Sequence, residues 1–466
     1  MNTVNTQTNR KVLFVSYFFP PDSSVGALRL GKFVKYLTQL GWTPFVVTIQ
    51  DRYRESTDVN MMNDLKHITI EKTNKLTGLQ EIYLWCKRLV FALKKRPVSS
   101  PGVDYVSISH RPVTTPQQES LLQRLKRYVI ALSVFTPDAQ WTWIIPASIR
   151  AIRLIKRENI RCIVTSTPPH SSHLIGLLVK RLTGVHWVAD FRDPWVDHVR
   201  YMSPLIRCQW SDRIHVWMER QVVLAADRVV TTANSLKSVL EKRYPDQAQD
   251  KFVCIPNGID WDLLNREPND EKFDTFTITY AGSLYWGRTP EPVFQAVKDL
   301  LASHQISVSD LRIKLIGSCE DANGILTRDL IRQYGLDGTV EILPWLPFSE
   351  AWGIMRRSHL LLLIAPDTHE LMIPEKAYTY LASGTKILGL TEKGATSELI
   401  EATEGGACFS PSDIPGLRDH LLQSWKNRSC QQTPAQQDKI RQFDMRILAK
   451  RLDRELSSLI VSRTSS

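Results

Sequence analysis

Short apolar runs alternate along the chain with longer amphipathic stretches. "KVLFVSYF" (Lys11–Phe18) opens the series. The loop "FPPDSSVGAL" follows it, and then "LRLGKFVKYLTQLG", a helix pattern that stops at Gly41. Thr43–Gln50 is the next strand pattern. "RCIVTSTPPHSSHLIGLLVKRLTG" reads as a strand, a Pro-Pro-His turn and a helix ending at Gly184. "VHWVADFRD", Ala226–Ser235 and Lys251–Asp260 add three more strand patterns. A second series begins at "FTITYAGSLYWGRTPEPVFQAVKDL" and runs through "LRIKLIGS", "VEILPWLP", "HLLLLIAP", "TKILGLT" and "GACFS". Continuous apolar strands separated by amphipathic segments are the pattern of parallel sheets covered by helices on both faces, so the predicted class is α/β.

The chain has 466 residues, more than one hydrophobic core usually holds, which predicts two domains. The polar run "NREPNDEKFD" is the predicted linker. The expected limits are 1–262 and 263–434, with an amphipathic helical tail over 435–466. Residues of about 71–140 break the rhythm. "EIYLWCKRLVFALKKRP" and "LLQRLKRYVIALSVF" flank a Pro/Ser/Thr-rich loop there. Ten Lys or Arg stand against three acids between Lys75 and Arg127, interleaved with Trp85, Leu89, Phe91 and Leu93. Two readings stay open: a helical insertion packed on its own domain, or a basic amphipathic surface for an anionic membrane.

A formal net charge of +11 suits an anionic partner without choosing among them. The basic residues match no nucleic-acid recognition motif, which speaks against that partner. The seven cysteines are scattered, with no C-x-x-C pair and no zinc-finger spacing. They read as reduced cytosolic thiols, and no metal site is expected. The polar start has no apolar leader pattern. The longest apolar runs, such as Tyr128–Phe135, fall well short of the ~20 residues of a spanning helix. The expectation is a cytoplasmic protein, with attachment to the inner membrane face left open.

Ligands of open parallel sheets bind past the carboxyl ends of strands, so those positions carry the candidate chemistry. Gly282, Ser283 and Gly287 follow a strand and precede a helix that starts near Pro290. Small residues let backbone N–H groups approach a phosphate, and Arg288 adds a fixed cation. The turn is neither G-x-G-x-x-G nor a P-loop. In "IPEKAYTYLASGTKILGL", Pro374 and Glu375 suit a helix start. Lys376 there opposes the helix dipole unless it faces an anion; the plainer alternative points it to water. Two phosphate-facing helix starts in one half suggest a single diphosphate ligand. In the first half, His170 sits at a strand-to-helix turn, with His173 one turn on. Asp190, Arg192 and Asp193 follow one another just past a strand in "WVADFRDPW". An Asp190–Arg192 ion pair that fixes the loop, and an Asp193 cap on the turn begun by Pro194, are the structural alternatives.

Together, "VSYFFPP" with its following Gly and Arg, "VADFRDPW", "YAGSLYWGRTPEP" and "IPEKAYTYLASGTKIL" resemble GT-B glycosyltransferases of the retaining family-4 type. The resemblance covers nearly the whole chain and is weakest over 71–140 and the tail. It implies two Rossmann-like domains facing each other across a cleft, with a last helix crossing back to the first domain. It implies transfer from a nucleotide-diphosphate sugar to a hydroxyl acceptor, with retention and without a metal or other cofactor. By the same resemblance, Gly282, Ser283 and Arg288 would face the diphosphate and Gly317 would line the donor site. Pro344, Trp345 and Leu346 would hold the base, with Glu375 and Lys376 near the phosphates or sugar. Arg288 and Lys376 would stabilise the leaving charge. Asp190 would meet the acceptor hydroxyl or the transferred sugar, with His170 as a second catalytic candidate. Gly26, Arg29, Arg192 and Asp193 would line the acceptor side. Thr379 stands where family members commonly carry a Glu that grips the ribose, and Leu371 replaces a second Glu. The basic insertion points to a lipid-linked or saccharide acceptor in surface polysaccharide assembly. A nucleotide-sugar 2-epimerase of the same fold and a non-catalytic nucleotide-sugar-binding protein remain the alternatives.

Overall fold

The structure is a computed structural model and describes residues 10–54, 56–77, 125, 128–129, 131–133, 136–197, 208–264, 271–284, 287–366, 370–428 and 434–461. The chain divides into two units, Met1–Pro256 with Arg446–Ser466, and Asn257–Met445.

The first unit is built on seven parallel strands: β1 (Lys11–Val15), β2 (Thr43–Ile49), β3 (Thr69–Thr73), β4 (Cys162–Thr167), β5 (His186–Phe191), β6 (Arg228–Thr231) and β7 (Phe252–Cys254). Their order is β3-β2-β1-β4-β5-β6-β7. The direction of winding reverses between β1 and β4, which makes the loops after these strands the switch point of the sheet. Val12, Leu13, Phe14 and Val15 are fully buried, as a strand covered on both faces requires. Helices Val25–Gln39, Ile144–Glu158, Ser171–Thr183, Gln209–Ala225 and Asn234–Arg243 belong to this unit.

β3 overturns the expected start of the insertion at about residue 71. Its residues pair in parallel with β2, from Phe45 opposite Thr69 to Ile49 opposite Thr73. It is an edge strand with a polar sequence, TIEKT, so it lacks the apolar run that marks the inner strands. Most of the basic stretch, including Trp85, Leu89, Phe91 and Leu93, lies outside the described residues.

The second unit holds a six-stranded parallel sheet. Its strands are β8 (Phe276–Ala281), β9 (Leu311–Ile316), β12 (Val340–Leu343), β13 (Leu360–Ile364), β14 (Lys386–Leu390) and β15 (Gly406–Phe409), and a small hairpin of β10 (Asp321–Ala322) and β11 (Ile325–Leu326) falls between β9 and β12. The order is β12-β9-β8-β13-β14-β15. Along β13, Leu360, Leu362 and Ile364 enter one core with Phe294 and Leu388. Leu361 and Leu363 enter the other core with Trp352, Tyr378 and Ile387. Alternate side chains leave opposite faces of a strand, so both parities must be apolar when both faces are covered. Each such leucine contributes about 2 kcal/mol of transfer free energy.

The unit limits differ from the expected 262/263 and 434/435. Ile259 N donates to Phe443 O (2.8 Å) and Met445 N donates to Ile259 O (3.0 Å). Ile259, Leu264 and Ile440 are buried in a core of the second unit. The tail is two helices, Pro434–Arg441 and Met445–Val461. The second helix joins the first unit, burying Leu448, Ala449, Leu452 and Leu456. Its polar side is tied down by Asp453, which pairs with Arg10 and accepts from Trp42 Nε1 (2.8 Å), and by Glu455, which accepts from Arg228 Nε (3.0 Å). Among the described residues, no helix is long and apolar enough to cross a membrane.

Candidate functional site

In the second unit, β8 and β9 end side by side at two glycines. Gly282 has φ 137° and Gly317 has φ 111°, a region L side chains rarely adopt. A Cβ on Gly317 would lie 2.5 Å from the Gly282 carbonyl oxygen, and a Cβ on Gly282 would overlap the Lys376 amine. The two glycines therefore let the strand ends meet and leave room for Lys376 to reach across them. Lys376 is the second residue of the Glu375–Ser383 helix. Its Nζ lies over the Tyr280 ring, 4.1 Å from the centroid. The amine is buried and has no hydrogen-bond partner among the described residues. Burial, and then the positive charge of Arg288, pull its pKa down to about 7. Arg288 is itself buried. A helix N-terminus, an arginine and a dehydrated amine converge here, and an anion would satisfy all three.

The surrounding groups hold this loop in place. Tyr280 Oη donates to Ser283 O (2.6 Å), and Ala281 N donates to Tyr380 Oη (2.9 Å). Cys319 Sγ contacts Gly282 O (3.3 Å). Trp345 is exposed, and its Nε1 donates to Ser318 Oγ (2.9 Å), the residue after Gly317. Pro344 is exposed and Leu346 half-buried on the same turn, while Ser283, Glu375 and Thr379 are half-buried. The fold thus brings Gly282, Gly317, Arg288 and Lys376 together. Tyr280, Tyr380, Ser318 and Cys319 were not singled out in the sequence. Strand alternation offers a signal only for Tyr280, two residues before Gly282.

In the first unit the structure corrects the expectation for Asp190. Asp190 is 3% and Arg29 2% exposed. Arg29 Nε donates to Asp190 Oδ2 (3.0 Å) and Arg29 Nη2 to Asp190 Oδ1 (2.9 Å), while Ser166 Oγ donates to Oδ2 (2.8 Å). Arg29 also donates to Pro256 O (2.9 Å) and Ile255 O (2.8 Å). Asp190 is not a rim carboxylate facing an acceptor, and its ion-pair partner is Arg29, not Arg192. Asp190 lies inside β5 in register with Ser166, so its side chain enters the layer between sheet and helix. Arg29 is likewise an interior residue and not an acceptor-side cation.

Arg192 instead donates to Asp193 Oδ2 (3.1 Å). A Cβ on Gly26 would lie 2.6 Å from Arg192 Nη1, so the start of the Val25–Gln39 helix rests on this guanidinium. Gly26, Arg192 and Asp193 therefore form one group at the sheet edge. His170 is buried, its ring flat on Trp195 at 4.6 Å. His173 is buried between Thr165 Oγ1 (2.8 Å) and Thr167 Oγ1 (3.4 Å), and burial pushes its pKa down to about 3. It is a neutral core residue.

Two residues here escaped the sequence reading. Asp138 Oδ2 accepts from Ser171 N (2.6 Å) at the start of the Ser171–Thr183 helix, and burial raises its pKa to about 6 against these N–H bonds. Arg54, in the loop after β2, has a side chain 1% exposed and an Asp51 carboxylate oxygen 2.5 Å from Nη1. None of its nitrogens has hydrogen-bond geometry to a partner among the described residues. Since the strands are parallel, this loop shares its sheet edge with those carrying Gly26, His170 and Arg192.

Residues 102–263 match the family model described as Glycosyltransferase Family 4. Comparison with curated proteins returns no match. Among solved structures, sucrose-phosphate synthase from Thermosynechococcus elongatus superposes with a TM-score of 0.62 at 13% identity, covering 97% of this chain and 100% of that one. Anabaena Alr3699/HepE in complex with UDP and glucose gives 0.57 at 13% identity, covering 96% and 99%. The lipopolysaccharide outer core galactosyltransferase WaaB gives 0.56 at 13% identity, covering 96% and 99%. At such identity these likenesses concern the fold. The chain is similar to family-4 glycosyltransferases in sequence over residues 102–263 and has the GT-B fold of two Rossmann-like parallel-sheet units.

Proposed function

We propose that this chain transfers a sugar from a nucleotide-diphosphate sugar to a hydroxyl acceptor, with retention of anomeric configuration. The observation that carries the reading is the buried Lys376 amine, without a hydrogen-bond partner among the described residues, beside Arg288 and over the Gly282–Gly317 strand ends. A sugar-linked diphosphate, with one negative charge on each phosphate, matches the two cations in charge. That Alr3699/HepE was solved with UDP and glucose supports the same ligand class.

In the proposed step the bond from the anomeric carbon to the diphosphate oxygen breaks while the acceptor oxygen bonds to that carbon on the same face. The acceptor proton passes to the departing phosphate oxygen. Negative charge grows on the diphosphate, and Arg288 with protonated Lys376 stabilises it. The cationic charge thus comes from side chains, and no metal is invoked. Trp345 and the Pro344–Leu346 turn are assigned to the base. Thr379 offers the ribose a neutral hydrogen bond, about half as strong as one from a carboxylate. On the acceptor side the candidates are Gly26, Arg192 and Asp193, with His170 behind them. The acceptor class we favour is lipid-linked or saccharide, in surface polysaccharide assembly at the inner face of a membrane.

A thermal-shift screen across nucleotide sugars tests the donor, since stabilisation follows occupancy at ~2.7 kcal/mol for a hundredfold excess over Kd. Release of nucleoside diphosphate that requires an added acceptor supports transfer. Donor binding with no release under any acceptor would reduce the chain to a binding protein and sink the enzymatic reading.

A further inference from the structure

The Gln209–Ala225 helix buries Ser211, His215, Glu219, Val222 and Val223 against its unit. Its opposite side carries Trp210, Arg213, Trp217, Arg220 and Leu224. The spacing of three, four, three and four residues keeps these five on one seam of an α-helix. Trp210 and Trp217 are each 59% exposed and Leu224 is 38% exposed. Both arginines of the seam are exposed as well, and the Arg213 guanidinium sits over the Trp210 ring at 5.3 Å. The neighbouring Ser171–Thr183 helix extends the patch. Its Leu182 is exposed, and its exposed Arg181 donates through Nη2 to Gln221 Oε1 (3.3 Å). No carboxylate lies on the seam. Of the two acids of the helix, Glu219 is buried under Arg243 and Tyr244, and Asp212 is half-buried off the seam.

Tryptophan joins a large apolar ring to one N–H donor, a combination that suits the boundary between headgroups and acyl chains. Arginine can lay its stem along apolar surface while its head reaches phosphate oxygens. We propose that the seam docks flat on a bilayer with anionic headgroups. Charge complementarity selects the anionic surface, because Arg181, Arg213 and Arg220 face out with no acid among them. The proposal rests on the membrane-linked acceptor reading above. It moves the contact from the basic stretch of 71–140 to this helix.

The test is flotation of the full chain with phosphatidylcholine vesicles, with and without phosphatidylglycerol, at low salt. Wild type is expected to float with the anionic vesicles only. Trp210→Ser/Trp217→Ser should lower partitioning by ~tenfold or more, from lost burial of two large rings. Arg213→Gln/Arg220→Gln should lower it ~25-fold, at about fivefold per arginine. Trp210→Phe/Trp217→Phe should retain most of the binding. A cooperative melting curve of each variant, without ligand, checks that it is folded. Failure of wild type to float with anionic vesicles overturns the proposal. So does flotation of both the serine and glutamine variants at wild-type strength, which would place the membrane contact elsewhere. A wild-type protein that shows no thermal shift with any nucleotide sugar would undercut the glycosyltransferase reading instead, and the flotation series would still decide the docking face.

Discussion

Replacing Lys376 with Met removes, among the described residues, the group in the candidate donor site whose charge changes near neutrality. Its pKa of about 7 reflects burial first and Arg288 second. Above pH 7 the unliganded site holds a neutral amine, and below it an ammonium. Both phosphates of a sugar-linked diphosphate carry their charge throughout this range, so the pH dependence of binding belongs to the protein. If the bound diphosphate holds the proton on Lys376 to well above pH 8, donor affinity falls about tenfold between pH 6 and pH 8, or ~1.4 kcal/mol. Lys376→Met should flatten that slope and weaken binding ~30-fold or more at pH 6, as for the loss of one partner of a buried charge pair. The stability of the unliganded protein should move the other way. A lysine whose folded pKa lies below its ordinary 10.5 destabilises the fold increasingly as pH drops from 10.5 to about 7, and evenly below that. At pH 8 the difference is about 3 kcal/mol, so the Met variant should melt several degrees higher. Calorimetric titration of the donor at three pH values, with melting curves of both proteins, makes the measurement. A wild-type affinity independent of pH, or the same slope in the Met variant, would refute the assignment of Lys376 to the anion.

Asp190→Asn should leave the buried Arg29 charge unpaired and cost about 3–5 kcal/mol in urea unfolding, with donor affinity per folded molecule unchanged; wild-type stability would contradict the clamp. Gly317→Ala should meet the Gly282 carbonyl at a φ of 111° and raise the donor Kd by tenfold or more, read by the same calorimetry, whereas an unchanged Kd would mean the strand ends do not shape the site. Asp138 has its pKa raised to about 6, so its contribution is fully present below pH 3.8 and lost as pH rises through 6. Asp138→Asn should therefore raise stability at pH 8 by up to ~3 kcal/mol in chemical denaturation, provided the amide oxygen keeps the bond from Ser171 N. His173 has the opposite sense: its folded pKa of about 3 means that stability falls as pH drops below 6.5, and His173→Gln should flatten that limb of an acid-unfolding curve.

What the sequence made legible follows from the reach of its signals. The inner strands could be read because burial on both faces demands an unbroken apolar run, as in β13. β3 could not, because an edge strand with the sequence TIEKT needs no such run. Gly282 and Lys376 were found from local cues, a strand end followed by small residues and a proline at a helix start. Their meeting was suggested only by two anion-facing turns occurring in one half of the chain. The unit limit was misplaced because Ile259 finds its partners at Phe443 and Met445, far along the chain. Asp138 caps a helix 33 residues ahead of it in sequence, and no local pattern announces that.

The charges around the end of β5 show the same division most sharply. Position along a strand locates Asp190, but period-two alternation cannot say what stands opposite it across the layer. Arg29 is 161 residues away and reaches it from the Val25–Gln39 helix. That guanidinium also takes the carbonyls of Ile255 and Pro256, where the chain leaves β7 in a buried segment. Carbonyls buried at a sheet end need donors, and a planar guanidinium supplies several at fixed angles. The pair therefore cannot be exchanged for two apolar residues without leaving those carbonyls unsatisfied, which separates it from buried ion pairs whose loss is nearly neutral. Its carboxylate is held to position the sheet, helix and exit strand. The group left at the sheet edge past β5 is Arg192 with Asp193 and Gly26, and acceptor chemistry is to be sought there.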